Sequence, residues 1–231
     1  MSLAVVYSRA SLGTSAPLVT VEVHLSNGLP SFSIVGLAET AVKESRDRVR
    51  SALKNSGFDF PTRRITVGLA PADLPKRGGR FDLPIALGIL VAAGQLSLEA
   101  LQDIEFLAEL GLGGELRPVD TILSAAVAAT TMGHAIALAP DDVVEASRVR
   151  TARLLPAVNL SALVDHLAGV KPLNWTFEQP VFRQAAESDL SGIKGQAVGL
   201  RGLEVAAAGG HGLIMMGPPG CGKSILAAHL P

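Results

Sequence analysis

Eight consecutive residues, Gly217-Pro218-Pro219-Gly220-Cys221-Gly222-Lys223-Ser224, carry the G-x-x-x-x-G-K-S spacing of a phosphate-binding loop. The glycines let backbone N–H groups turn inward around phosphate oxygens. Lys223 would reach the β- and γ-phosphates, and the Ser224 hydroxyl would take a Mg²⁺ position. The cofactors this pattern implies are ATP and Mg²⁺, with Ser224 as the metal ligand. Such a loop needs a strand before it and a helix after it; Gly212–Met216 and Ile225–Leu230 are apolar enough to supply both. Phosphoryl transfer also needs a Walker B acidic pair, a sensor residue and an arginine finger from a neighbouring subunit. None fits between Ser224 and Pro231, so this chain alone is expected to be inactive as an ATPase, and no catalytic residue is assigned.

The second chemically suggestive feature is charge. Residues 43 to 80 hold ten Lys/Arg against four acids, although the net charge of the whole chain is −1. A basic segment of this kind can follow a nucleic-acid backbone. Lys76, Arg77 and Arg80, flanking Gly78-Gly79, are the expected DNA contacts because the glycines should expose the loop. The competing reading is a solvated helix face partly paired by Glu44 and Asp47, followed by a turn that presents the next helix. His24, His134, His166, His211 and His229 show no metal-ligand spacing. Cys221, the single cysteine, excludes an internal disulfide and reads as packing. The lone Trp175 is expected to dock on a domain surface.

These residues must be positioned by an α/β (α+β) framework. Val19–Leu25 alternates as a strand, and Phe32–Leu37 is expected beside it across Gly28-Leu29-Pro30. Glu39–Asn55 reads as an amphipathic helix with Val42, Val49 and Leu53 inward, closed by Gly57. A strand follows at Arg64–Leu69, an apolar helix at Pro84–Ala93, and a hairpin of Phe106–Leu112 with Glu115–Val119. The helix Thr121–Met132, the strand His134–Leu138 and the helix Ser161–Ala168 complete a first domain over residues 1–169. Residues 170–188 read as a linker. A second unit over 189–231 contains a helix from about Ala197 to Ala208. With 48% apolar residues, no run approaching a membrane span and no leader pattern, a cytoplasmic protein with no membrane partner is expected.

The segment Asp189-Leu190-Ser191-Gly192-Ile193-Lys194-Gly195-Gln196, then Ala206-Ala207-Ala208-Gly209-Gly210-His211, then the P-loop, resembles the opening of an AAA+ ATPase module. Upstream, Gly28-Leu29-Pro30, Val35-Gly36-Leu37, Lys43-Glu44-Ser45-Arg46-Asp47-Arg48-Val49-Arg50 and Ala70-Pro71-Ala72-Asp73-Leu74-Pro75-Lys76 resemble the ComM/YifB family of magnesium-chelatase-like AAA+ proteins. That resemblance covers essentially the whole chain. It implies a Lon-protease-like, ribosomal-protein-S5-domain-2-like N-terminal domain, followed by the first strand and P-loop of a truncated P-loop NTPase (AAA+) domain. It also implies a hexamer acting on DNA as an ATP-dependent translocase that promotes branch migration in recombination during natural transformation. By the same analogy Ile193 and Gly195 lie near adenine, with helix capping by Asp189 or Ser191 as an equal explanation. The Lon pattern argues against peptidase activity here. Its nucleophile slot falls on Arg80 and its lysine slot near Ala125, with no serine between Ser56 and Ser97 and no lysine between Lys76 and Lys171. Two alternatives stand beside the DNA motor: a metal-chelatase motor subunit, and a short non-catalytic DNA-binding module.

Overall fold

Two antiparallel strands open the chain in the computed structural model, which describes residues 2–36, 40–175 and 190–229. Ser2–Arg9 (β1) pairs with Leu18–Ser26 (β2) from Ser2 opposite Leu25 to Arg9 opposite Leu18. In β2 the residues Val19, Val21, Val23 and Leu25 all point to one buried face, as the alternation requires. Ser31–Val35 (β3), the helix Thr40–Asn55 (α1) and Arg64–Ala70 (β4) follow. The expected pairing of β3 with β2 is not what forms. β4 takes the place beside β2, and β3 runs parallel to β4 from Ser31 opposite Arg64 to Val35 opposite Gly68. The reason is the helix: α1 supplies the long crossover that a parallel pair needs, so β3 closes on the strand after it. Leu37 to Glu39, expected to extend that strand and start that helix, lie outside the described residues.

Helix α2 (Asp82–Ala92) is buried along nearly its whole length and lies on β1 and β2. A Cβ at Gly88 would come within 2.5 Å of Val23 Cγ2, so only glycine lets the helix approach this closely. Val42, Val49 and Leu53 of α1 join the same core, as their spacing predicts. The strand Ile104–Leu107 (β5) pairs in parallel with β1. The hairpin expected over 106–119 is therefore shorter, comprising only Glu109–Leu110 (β6) and Leu116–Arg117 (β7). Phe106 and Leu107 face two different cores, which a surface hairpin arm cannot provide. Ile122–Thr131 (α3), Ala135–Leu138 (β8), the short turn of helix Val143–Ala146 (α4), Leu154–Pro156 (β9) and Leu160–Leu167 (α5) complete the first unit.

The main sheet runs β3-β4-β2-β1-β5-β8-β9. Its β5–β8–β9 half is parallel and covered on both faces. Ala135, Ala137 and Leu155 join the core under α1, α2 and α5, whereas Ile136, Leu138 and Leu154 join a second core with α3 and α4. That is why β5 and β8 read as continuous buried runs while β2 and β4 alternate. Asn159 caps α5 by accepting from the Ala162 N–H at 2.8 Å. Beyond α5, Leu173 donates its N–H to His166 Nδ1, and Trp175 sits edge-on to His166 beneath the Arg153 guanidinium. The first residues of the expected linker thus pack on the first unit; 176–188 lie outside the described residues.

A second compact unit begins near residue 181. Its described part holds Ala197–Gly209 (α6) and Lys223–Ala227 (α7), joined through buried Leu203, Ala206 and Leu226. The strand expected at Gly212–Met216 has no ladder partner among the described residues, and Ile214 and Met216 are 87% and 91% exposed. A strand exists only through its neighbours, and this stretch has none to pair with here. Among the described residues no helix is long and apolar enough to cross a membrane.

Candidate functional site

The Gly217–Ser224 loop is built by two turns and a helix start. Gly220 and Gly222 adopt φ of +80° and +88°, a region closed to most side chains, and Gly222 immediately precedes α7. A Cβ at Gly217 would press on Cys221 Sγ at 2.9 Å, and one at Gly222 would meet Gln196 Nε2 at 3.1 Å. At Gly217 and Gly222 a side chain would have to displace Cys221 or Gln196, and at Gly220 the backbone conformation itself favours glycine. Lys223 folds back over it, donating from Nζ to the Gly217 carbonyl at 2.9 Å and the Pro218 carbonyl at 2.8 Å. Its ammonium also lies 3.5 Å from Cys221 Sγ. Pro218, Pro219 and Gly220 line the exposed outer turn and Ser224 is exposed in the first turn of α7. All eight predicted residues thus share one loop and helix start. A glycine cradle under a tethered cation fits a phosphate group, and the neighbouring hydroxyl of Ser224 fits its counter-ion.

One participant is not legible from the P-loop spacing. Gln196, in left-handed backbone conformation just before α6, donates from Nε2 to the Cys221 carbonyl at 2.7 Å and ties the loop to α6. The family analogy points to its neighbours Ile193 and Gly195 instead, although a Gly195-Gln196 pair before a helix is a signal of its own. Asp189, one suggested cap, lies outside the described residues.

The glycine-rich loop of the first unit departs from expectation. Lys76 is 0% exposed, its ammonium donating to the Pro71 carbonyl, and burial pushes its pKa down. Arg80 is 5% exposed and donates to the Asp120 carbonyl at 2.5 Å and to Thr121 Oγ1 at 3.3 Å. Burial lowers its pKa against the pull of Asp120 and Asp142. Only Arg77 of the three keeps an exposed side chain. The two glycines open the backbone, but the flanking cations turn inward to reach carbonyl oxygens.

Arg77, Arg80 and Thr121 border a cleft of about 390 Å³ together with Ser11, Glu109 and Asp120. Its lining offers two hydroxyls, Ser11 and Thr121, and neither a lysine nor a histidine to act as base. Ala125, near the expected lysine slot, is buried in α3. Beside the cleft, Asp142 accepts from the Val119 N–H at 3.2 Å; burial raises its pKa to about 6, with Glu145 and Asp141 pushing the same way.

Two buried ion pairs hold the surrounding frame. Arg48 Nε meets Asp82 Oδ2 at 2.6 Å, pinning α1 to the start of α2, and Asp82 also accepts from the Leu110 N–H. Burial raises the Asp82 pKa while the Arg48 hydrogen bond opposes it. Arg9 grips Glu105 in a two-point contact at 2.6 Å per bond, and His134 Nδ1 adds a third contact at 2.9 Å. Among the described residues no group of three or more His, Cys, Asp or Glu side chains is placed to hold a metal ion.

Two family profiles match the chain: the one described as "Subunit ChlI of Mg-chelatase" over residues 21–142, and "Magnesium chelatase, subunit ChlI" over 189–231. Competence protein ComM of Haemophilus influenzae is 50% identical over 237 aligned residues, covering 100% of this chain and 46% of its own length. The uncharacterized protein YifB of Escherichia coli is 47% identical, again over 100% of this chain and 46% of its own. An uncharacterized protein of Mycobacterium tuberculosis is 37% identical with the same coverage. The chain spans about half the length of the curated relatives it matches.

Proposed function

We propose a function from one premise: the chain belongs to the magnesium-chelatase subunit ChlI family, as a ComM/YifB-type AAA+ member. Its Gly217–Ser224 loop is a Mg·ATP site. The loop amides hold phosphate oxygens, Lys223 leaves its own loop carbonyls to neutralise the β- and γ-phosphates, and the Ser224 hydroxyl faces the metal. Mg²⁺ held at Ser224 would supply positive charge that offsets the charge developing in phosphoryl transfer. The observation that carries this reading is the Lys223 ammonium held over a loop whose Gly220 and Gly222 adopt a left-handed backbone that disfavours any side chain. Gln196 positions the loop without touching the nucleotide.

The first unit is a Lon-like, S5-domain-2-like scaffold without peptidase chemistry, since a buried Arg80 stands where a nucleophile would be needed. In a protein of the relatives' length, nucleotide turnover drives a hexamer along DNA in recombination. This part of the proposal draws on the name competence protein carried by the Haemophilus relative. Arg77, the exposed member of the loop trio, is the DNA contact retained from the sequence reading, and Lys76 and Arg80 serve as internal struts. A second reading, a motor for magnesium insertion, draws on the descriptions of the two matching profiles. DNA-stimulated ATP turnover in the relatives' length of protein supports the first reading, and stimulation by a chelatase partner supports the second.

The nucleotide site is tested by titrating a fluorescent ATP analogue with Mg²⁺ against the wild-type chain and Lys223→Ala. Binding that is magnesium-dependent and at least ten-fold weaker in Lys223→Ala is expected. Equal binding by the two proteins overturns the site.

A further inference from the structure

We propose that a cleft between α1 and the edge of the sheet, far in sequence from the phosphate loop, is a binding groove for single-stranded nucleic acid. The cleft has a volume of about 340 Å³ and is bordered by Arg46, Arg50, Lys54 and Arg63, with Phe32 and Phe60 in its wall. β3, which contributes Phe32, is an edge strand of the seven-stranded sheet, so the groove opens outward.

Three features define its ligand. First, Arg46, Arg50 and Lys54 recur every four residues along α1. At 1.5 Å rise per residue they stand about 6 Å apart in one row, comparable to the separation of successive phosphates in a strand. Arg63 extends this positive lining from the segment before β4. Among the described residues Asp47 is the one carboxylate in the cleft wall, so the lining stays strongly positive. Among the described residues Arg50, Lys54 and Arg63 form no ion pair.

Second, the walls carry aromatic faces among these cations. Phe32 and Phe60 lie 6.1 Å apart between ring centroids, tilted by 42°, and the Arg50 guanidinium sits 5.4 Å over the Phe60 ring. Both rings are only partly buried. Cations in a row beside partly exposed rings are the means by which unpaired bases are held: phosphates on the cations, base faces on the rings. An acidic peptide would use the charges and leave the rings idle.

Third, the segment Phe60 to Arg63 is shared with a second cleft of about 450 Å³, bordered also by Asp59, Ala92, Ala93 and Gln95. A strand leaving the basic row has a continuing path over that segment. A duplex, with its bases stacked inside, cannot present them to Phe32 and Phe60. This groove is independent of the nucleotide site and shares with the preceding reading only the class of polymer.

The test is fluorescence anisotropy of a labelled oligo(dT) of about 16 nucleotides, the upper end of a single-domain footprint, with the 231-residue chain over a range of salt. The triple variant Arg50→Glu/Lys54→Glu/Arg63→Glu changes exposed side chains only, so it folds. It should bind at least ten-fold more weakly, and its log–log salt slope should fall by about 2, three lost phosphate contacts at roughly 0.7 each. Phe60→Leu keeps the charge and an apolar side chain while removing the ring; it should lose five-fold or more in affinity with the slope unchanged. Arg148→Glu/Arg150→Glu, elsewhere on the unit, should match wild type. The proposal is overturned if the triple variant binds as wild type does, if the Arg148/Arg150 control loses as much, or if a duplex of equal length binds more tightly. An oligoglutamate that competes equally while Phe60→Leu is inert also overturns it, in favour of an acidic protein partner. Absence of oligo(dT) binding by wild type overturns the groove but leaves the Lys223 experiment, and the nucleotide site, standing.

Discussion

Replacing Asp142 by asparagine should remove one pH effect on stability, so that the substitution is neutral or costly at low pH and stabilising at high pH. The carboxyl is buried beside Val119, and its pKa rises from the usual 3.8 to about 6 because burial disfavours the charge. Between those two values the folded state holds a proton that the unfolded chain has released. Stability from this group is therefore greatest at low pH, declines as pH rises from about 4 to 6, and is level above that. The displacement corresponds to roughly 3 kcal/mol at most, at about 1.4 kcal/mol per pH unit, and solvent screening reduces it. The amide introduced by Asp142→Asn carries no charge and keeps an oxygen for the Val119 N–H, at a cost of about 1 kcal/mol for exchanging a charged acceptor for a neutral one. Asp142→Asn should thus equal or trail wild type at pH 4.5 and exceed it by about 1–2 kcal/mol at pH 8. Urea unfolding followed by the single Trp175, which packs within the first unit, measures this at pH 4.5, 6 and 8. Other titrating groups cancel in the difference between the two proteins. A difference that is constant with pH, or that favours wild type increasingly as pH rises, refutes the reasoning.

The remaining predictions concern the frame and the loop. Arg9→Ala should cost about 3–5 kcal/mol, because it strands the fully buried Glu105 carboxylate; Arg9→Met/Glu105→Leu should cost distinctly less, and chemical denaturation of both decides. Gly88→Ala should destabilise by about 1–3 kcal/mol, since its Cβ would enter the space of Val23 Cγ2, read as a lowered unfolding midpoint. The 231-residue polypeptide by itself should hydrolyse ATP no faster than buffer, because Gly212–Met216 has no strand partner among the described residues to seat the loop; phosphate release under steady-state conditions checks it.

What could be read directly from the chain was whatever has a short period or a fixed spacing. Val19 to Leu25 alternates and α1 repeats every three to four residues, so strand and helix emerged at nearly their observed bounds, and the Gly217–Ser224 spacing marks a loop that runs into α7. The first strand escaped because its inward side ends in Ser8, with Arg9 buried beside it, which is polarity that makes sense only once Glu105 is opposite. The exchange of neighbours between β2, β3 and β4 is a long-range choice that no local pattern encodes. Lys76 and Arg80 misled in the other direction. Charges next to two glycines suggest solvent, yet each finds a carbonyl oxygen, at Pro71 and Asp120, and the second is forty residues away. The basic row on α1 was visible as charge, but Phe32 and Phe60 meet beside it only through the fold.

Backbone amide NMR of the 231-residue chain, titrated with Mg·ATP to millimolar concentration, bears most directly on the nucleotide site, because it reports even weak binding residue by residue. Shifts concentrated in the amides of Gly217 to Ser224 and of Gln196, and abolished in Lys223→Ala, are the predicted result. Shifts centred elsewhere on the chain, or no shift in this loop, would contradict the assignment of these residues to the phosphates of ATP.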